Sequence, residues 1–319
     1  MKKSMKSFLL ACFAFVFAFL VIPAAKTEAA SVEQTGATQN SVTVAWADQS
    51  TSSRTILKYD VYVGESYDAL TLVQTLPSTQ LNCTISGLSA GTSYYVKIAY
   101  TYQLSYGGTD SWYVTLYNAR TLPGKVTNVK QTKWWYFAKS FDVEWDKQTG
   151  VNGYDYIVKT NTGKKKLSGS TTYNSNYLDV NKISNTVVYT VQVRAYSVIN
   201  GTTYRGEWST KCYCFTQPRI TSIKNSGSKL TIGWGKVKGA TGYDVYMSTK
   251  KTSGYKKVKS VGSGTNKVTV TKFKGKKLSS KKTYYFYIVT KKKVGSKTNK
   301  SGRLYYWNSK QGTDKYGYF

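Results

Sequence analysis

Histidine is absent from this 319-residue chain, and other residues are scarce: four prolines, four cysteines, and 15 Asp/Glu against 46 Lys/Arg, giving a net charge of +31. Without histidine the usual general base and the hydrolytic triads built on it are excluded. A paired-carboxylate mechanism stays formally open, but the few carboxylates are scattered, and Asp60, Asp155 and Asp244 recur at one position of a repeat, which marks architecture. No phosphate-cradling glycine motif and no cluster of metal ligands is present, so neither an enzyme nor a cofactor is expected. Cys83, Cys212 and Cys214 are an odd and sparse set, not a disulfide framework. Cys212 and Cys214 point the same way on an expected strand, a poor geometry for bridging each other. Such thiols are read as buried or idle.

Long apolar runs are equally rare. The single one, Phe8 to Ile22, follows Lys2, Lys3 and Lys6 and leads into Pro23-Ala-Ala-Lys-Thr-Glu-Ala-Ala30. That order of basic, apolar and small-residue segments reads as a secretory signal peptide over residues 1–30, cleaved near Ala29 or Ala30, with Ala25 as an alternative. The competing reading is an uncleaved anchor, although the run is short of the roughly 20 residues a span needs. A lipoprotein reading on Leu9-Leu-Ala-Cys12 is weak because the cysteine sits inside the run. After cleavage no transmembrane segment is expected, which places the chain outside the cell, secreted or associated with the wall.

What is abundant is repetition. Val42-Thr-Val-Ala-Trp46, Phe141-Asp-Val-Glu-Trp145 and Leu230-Thr-Ile-Gly-Trp234 each alternate strictly, as half-buried strands do, and each ends on tryptophan. Tyr59-Asp-Val-Tyr-Val63, Tyr154-Asp-Tyr-Ile-Val158 and Tyr243-Asp-Val-Tyr-Met247 begin 13, 9 and 9 residues after those tryptophans. An aliphatic residue then precedes a tyrosine by six positions three times: Leu88 and Tyr94, Ile183 and Tyr189, Leu278 and Tyr284. Each tyrosine opens another apolar alternation.

At these residues the chain resembles the fibronectin type III family, in the form of repeats found in secreted proteins of Gram-positive bacteria. Trp46, Trp145 and Trp234 match the core tryptophan of its second strand. Tyr94, Tyr189 and Tyr284 match its tyrosine corner, whose hydroxyl returns to nearby backbone. The resemblance implies an all-β fold: a tandem array of three immunoglobulin-like β-sandwiches. Proline and glycine at Leu122-Pro123-Gly124 and Gln217-Pro218 mark boundaries, giving units over 31–122, 123–217 and 218–319 joined by very short connections. Fold alone does not fix a ligand.

Charge divides the units sharply. Residues 31–123 carry 4 Lys/Arg and 6 Asp/Glu, residues 124–217 carry 13 and 6, and residues 218–319 carry 25 and 2, a net of +23 for the last. Its lysines cluster where loops and hairpins are expected: Lys256, Lys257 and Lys259; Lys274, Lys276, Lys277, Lys281 and Lys282; Lys291, Lys292 and Lys293. Outside a cell these point to an anionic cell-wall polymer, an acidic polysaccharide or another extracellular polyanion. The competing reading is a merely solubilising basic surface. Lysine dominance implies point-charge, salt-dependent contacts.

Two aromatic features complete the candidate site. Strand alternation turns Tyr246, Tyr285 and Tyr287 outward, where they suit sugar rings or exposed bases, or else pair with one another across the sheet. The run Trp134-Trp-Tyr-Phe137 falls where the second repeat is expected to carry five extra residues between its first two strands. It is the candidate aromatic platform for a glycan or another surface protein, with packing against its own sheet as the competing reading. The function expected is non-enzymatic binding or adhesion at the envelope, matrix or polysaccharide. A structural spacer is the main alternative and an accessory subunit for carbohydrate-active enzymes a lesser one.

Overall fold

A computed structural model describes residues 31–135, 139–172, 175–184, 186–310 and 315–319. The 1–30 segment, Tyr136 and Phe137 lie outside the described residues. Those described form strands, turns and loops with no helix, hence no helix long and apolar enough to cross a membrane.

The strands fall into three sequential groups, each a three-stranded sheet together with a larger one, with a further two-stranded hairpin in the last, and their pairings are antiparallel. The first group orders Val32–Ala37, Ser41–Trp46 and Asn82–Ser86 in one sheet, and Thr71–Pro77, Arg54–Gly64, Ser93–Leu104 and Thr109–Arg120 in the other. The middle group orders Tyr177–Val180, Ser140–Glu144 and Lys130–Trp135 in one sheet. Its second runs Lys165–Thr172, Gly153–Thr160, Tyr189–Ile199 and Thr202–Arg205, with Cys212–Cys214 also on Tyr189–Ile199. The last group orders Ile220–Asn225, Leu230–Trp234 and Lys267–Val270, against a sheet of Lys256–Gly262, Gly242–Ser248, Tyr285–Val294, Tyr305–Asn308 and Tyr316–Tyr318. Lys297–Lys300 adds to Tyr285–Val294.

Alternation produces the core directly, since every second side chain faces the opposite sheet. Val42, Val44 and Trp46, then Phe141, Val143 and Trp145, then Leu230, Ile232 and Trp234 are all buried. In each group the tryptophan meets a tyrosine edge-on. Trp46 and Tyr59 are 5.4 Å apart at 61°, Trp145 and Tyr154 5.3 Å at 65°, and Trp234 and Tyr243 5.4 Å at 67°. Such a pair contributes about 0.5–1.5 kcal/mol beyond its buried area. A second tyrosine in each group, also buried, accepts a backbone N–H five residues upstream: Ser89 to Tyr94 at 2.8 Å, Ser184 to Tyr189 at 2.9 Å and Ser279 to Tyr284 at 3.1 Å.

A device without a visible sequence signature closes the sandwiches. Gln34, Gln131 and Gln217 each use both ends of the side-chain amide on one backbone segment: Arg120 at 2.7 and 2.9 Å, Phe215 at 2.8 and 2.9 Å, and Tyr305 at 2.8 and 3.1 Å. Each clamp ties the chain at or before its group's first strand to its last strands.

The register corrects the expected insertion. The strand Lys130–Trp135 includes Trp134 and Trp135, with Trp134 opposite Phe141 and Trp135 opposite Ser140. In the other groups the corresponding hairpins close at Ala37 opposite Val42 and Asn225 opposite Leu230. The middle hairpin is therefore one rung longer and not a five-residue loop, because its first strand begins later in the chain than its neighbours led us to expect.

Hydrogen bonds stitch both joints. The Gly150 N–H donates to Gly91 at 2.8 Å, Arg120 reaches Asn152 at 2.8 Å and Asn200 reaches the Gln34 carbonyl at 2.9 Å. A Cβ at Gly150 would lie 2.5 Å from the Thr92 carbonyl, so only glycine permits this approach. At the second joint the Val188 N–H donates to Lys238 at 2.9 Å and the Lys238 N–H to Thr186 at 2.6 Å. The middle and last groups share one continuous buried cluster, whereas the first keeps its own.

Replacing Tyr284 by phenylalanine removes the acceptor from the part-buried Ser279 N–H while keeping the ring. Denaturant unfolding of the Tyr284→Phe variant is expected to show a loss of about 1–2 kcal/mol.

Candidate binding surfaces

The repeated aspartate is the electrostatic anchor of each large sheet. Asp60 accepts from Thr75 at 2.6 Å, Asp155 from Ser170 at 2.8 Å and Asp244 from Ser260 at 2.7 Å, all from the neighbouring edge strand. Each also holds cations: Lys58 at 2.7 Å, Arg194 and Arg205 both at 3.0 Å, and Lys291 at 2.6 Å with Lys300 at 3.6 Å. Burial pushes these carboxyls up, but the hydrogen bonds and cations outweigh it and hold all three below the usual carboxylate range.

This changes the standing of the candidate lysines. Lys291 is a half-buried member of the Asp244 ion pair, and its Nζ also reaches the Ser260 hydroxyl at 2.7 Å, so it is not a free surface cation. Lys257, Lys291, Lys293 and Lys300 come together over Asp244 in a shallow depression of about 380 Å³. Lys256, Lys257 and Lys259 are exposed on the edge strand, where Lys256 and Lys257 lie opposite Met247 and Tyr246. Lys274, Lys276 and Lys277 are exposed on a separate small hairpin, Lys272–Phe273 with Lys276–Lys277, and Lys281 and Lys282 are exposed just before Tyr284. Lys292 is half-buried and Lys293 exposed. The candidate lysines thus occupy several faces, and the depression gathers Lys257, Lys291 and Lys293 from separate stretches of chain.

The tyrosines of the last group correct a second expectation. Tyr246 and Tyr287 stack at 4.9 Å with planes 4° apart. Tyr255 and Phe319 then cover Tyr287 at 5.0 and 5.3 Å, leaving it only 7% exposed. Tyr285 packs edge-on against Tyr306 at 5.5 Å, and Arg303 lies 4.7 Å from the centre of the Phe319 ring. Tyr246 and Tyr285 keep partial exposure, but this face is filled by cross-strand pairing and not open for stacking. Of the Trp134 to Phe137 run, the structure describes the backbone of Trp134 and Trp135 within a strand. Their side chains, with Tyr136 and Phe137, lie outside the described residues.

An open aromatic face stands instead on the first group, where the repeat pattern had not led us to expect one. Tyr113 and Tyr117 are 44% and 64% exposed, Tyr67 stacks on Tyr117 at 6.1 Å, and Lys97 lies 4.5 Å from the Tyr62 ring. Trp112, 63% exposed, precedes Tyr113 on the same strand and stacks on it at 6.0 Å. The available signal was Tyr113-Val-Thr-Leu-Tyr117, whose period of two sends both tyrosines to one side of the strand.

Among known proteins, residues 28–117 match the family profile of the fibronectin type III domain. No curated protein matches the chain. Solved structures similar to it include the FN1–FN3 domains of chicken CNTN1, at 13% identity and a TM-score of 0.38, covering 87% of this chain and 96% of that one. A two-domain fibronectin type III segment of chicken tenascin is similar at 14% identity and a TM-score of 0.32, covering 58% of this chain and 98% of its own.

Two tests of the aspartate anchor follow. Asp244→Ala leaves Lys291 and Lys300, directly opposed on neighbouring strands, without their shared anion; calorimetry is expected to show a loss of about 3 kcal/mol. Because all three folded pKa values are lowered, their stabilisation is complete above the unfolded value of about 3.9 and is lost as pH falls through the folded values. Stability measured against pH should therefore decline below about pH 4, less steeply in the alanine variant.

Proposed function

We propose that the chain is a secreted, non-enzymatic binding protein whose basic last group attaches it to an anionic polymer of the cell envelope or extracellular matrix. The three strand groups are read as three fibronectin type III units over 31–122, 123–217 and 218–319, with residues 1–30 as a cleaved signal peptide. One observation carries the reading. The last 102 residues hold two carboxylate side chains, Asp244 and Asp314, against 25 cations, and Asp244 is withdrawn from the surface at 1% exposure. The exposed lysines are thereby left in large excess over surface counter-charge, a state that favours an external polyanion. Any stacking on neutral sugar is assigned to the open face of the first group, since the tyrosines of the last are mutually covered.

The hydrogen-bonded joints favour a second reading, a scaffold that sets distance with no ligand of its own. The two separate by experiment. Cutting at residue 217 would sever the Gln217 clamp and divide a shared core, so neutralisation within the intact chain is the sounder comparison. Residues 31–319 and a variant with Lys256, Lys257, Lys259, Lys274, Lys276 and Lys277 changed to glutamine are applied to purified cell wall, a heparin-like polymer and DNA over a salt series. The parent is expected to be retained at low salt and released as salt rises. For every lysine that pairs with the polymer in the parent and is neutralised in the variant, the logarithmic salt slope should fall by about 0.7–0.9. Equal retention of both proteins, or of neither, would support the scaffold.

A further inference from the structure

The joint between the middle and last groups holds a cleft of about 500 Å³ lined by Lys130, Lys133, Lys211, Lys297, Lys300 and Arg303, and by no carboxylate. These six cations come from three distant stretches of chain. Lys130 and Lys133 lie on the first strand of the middle group, Lys211 precedes its last, and the others belong to the Lys297–Lys300 strand and the segment after it. Lys300 shares Asp244 and Arg303 lies against Phe319, but Lys130, Lys133, Lys211 and Lys297 make no ion pair among the described residues.

The walls are fixed before any ligand arrives. Gln131, between the two lysines of the first wall, clamps the backbone of Phe215, and Gln217 clamps Tyr305, next to the Gly302, Arg303 and Leu304 of the other wall. Both walls therefore hang on one buried segment, Phe215, Thr216 and Gln217, at 2%, 0% and 0% exposure. The backbone of both walls is thereby pre-organised, and the ordering left to binding is that of the exposed lysine side chains. Glu144 and Asp142, opposite Lys130 and Lys133 on the neighbouring strand, offset part of the repulsion among its lysines, and an entering anion relieves it further.

We propose that this cleft is a distinct binding site for a linear phosphate-bearing chain, whether a polyphosphate or a polymer of phosphodiesters. The inference deepens the polyanion reading given above but does not use the outer lysines. Four unpaired cations in a cavity of ligand size call for dense negative charge. A phosphate chain supplies a charge at every unit, whereas a polyuronate supplies at most about one per sugar ring and fits only a short segment into the same space. Lysine ammonium groups suit phosphate oxygens as point charges without demanding one geometry.

Cys212 supplies an internal reporter. It lines the cleft with intermediate exposure, 3.8 Å from the sulfur of Cys214, whose hydrogen bond lowers its pKa; burial opposes this and the charge of Lys297 assists. Cys83 and Cys214 are buried, and burial raises both, Cys83 to about 11. Alkylation with iodoacetamide, read by mass spectrometry on the Cys212 peptide, therefore follows access to the cleft.

The test uses residues 31–319 with short linear polyphosphate, polyglycerol phosphate and a polyuronate as probes. Polyphosphate, polyglycerol phosphate or both should slow Cys212 alkylation at least tenfold, with calorimetry showing about one chain bound per protein. The probe that protects identifies the source of the phosphate. The pair Lys133→Gln and Lys297→Gln should weaken that binding by about ten- to a hundredfold, and lysine-to-arginine changes at both positions should keep it. Retention of the glutamine variant on cell wall through the outer lysines should persist. An unchanged alkylation rate with every probe, undiminished binding by the glutamine variant, or equal protection by the polyuronate would overturn the proposal. Undiminished wall retention on neutralising the outer lysines, with Cys212 still protected, would overturn the broader reading and leave the cleft proposal standing.

Discussion

Mutual repulsion among the cations of the last group is the constraint to which the rest of this structure answers. Lys291 and Lys300 face each other on adjacent strands, an arrangement that is unfavourable by itself. It is tolerated because the Asp244 carboxylate lies beneath both. The same aspartate in the other two groups holds Lys58, or Arg194 and Arg205. A feature common to all three sandwiches has become, in the most basic one, the centre of a charged depression.

Apolar packing supplies what electrostatics opposes. The edge-on tryptophan–tyrosine pair and the tyrosine hydroxyl holding upstream backbone recur in every group with nearly the same geometry. The last group adds a second aromatic layer on the outside of its sheet, built from Tyr246, Tyr255, Tyr285, Tyr287, Tyr306 and Phe319. That layer removes area from water on a face that would otherwise carry exposed rings, and it covers the most charged unit. The last group is left with exposed cations and the cleft, while the open rings belong to the first group, which has a slight excess of acid.

Local pattern made the fold legible and non-local geometry hid the site. The Val42-Thr-Val-Ala-Trp46 type of alternation carries its own burial pattern, and the six-residue step to Tyr94, Tyr189 and Tyr284 identifies the backbone-binding tyrosine without coordinates. The glutamine clamps escaped notice because Gln34, Gln131 and Gln217 stand at unequal distances from their tryptophans. Trp134 and Trp135 read as an insertion when Val129 is placed level with Thr35 and Ile223 at the end of the first strand, whereas Val129 stands just before the strand Lys130–Trp135. Tyr287 was expected to be open because alternation gives direction but not cover, and its cover comes from Tyr255 and from Phe319 at the far end of the chain. The cleft needed all three effects at once, since its lysines converge only after two groups have docked.

The central claim, that the charge of the last group is matched to an external polyanion, is tested most directly by calorimetric unfolding of residues 31–319 at low ionic strength with and without a linear polyphosphate. A ligand that binds only the folded state raises its unfolding temperature by mass action. The account predicts a higher midpoint for the transition of the joined middle and last groups, no change for the first group, and loss of the effect at high salt. A midpoint unmoved by polyphosphate at low salt would contradict it.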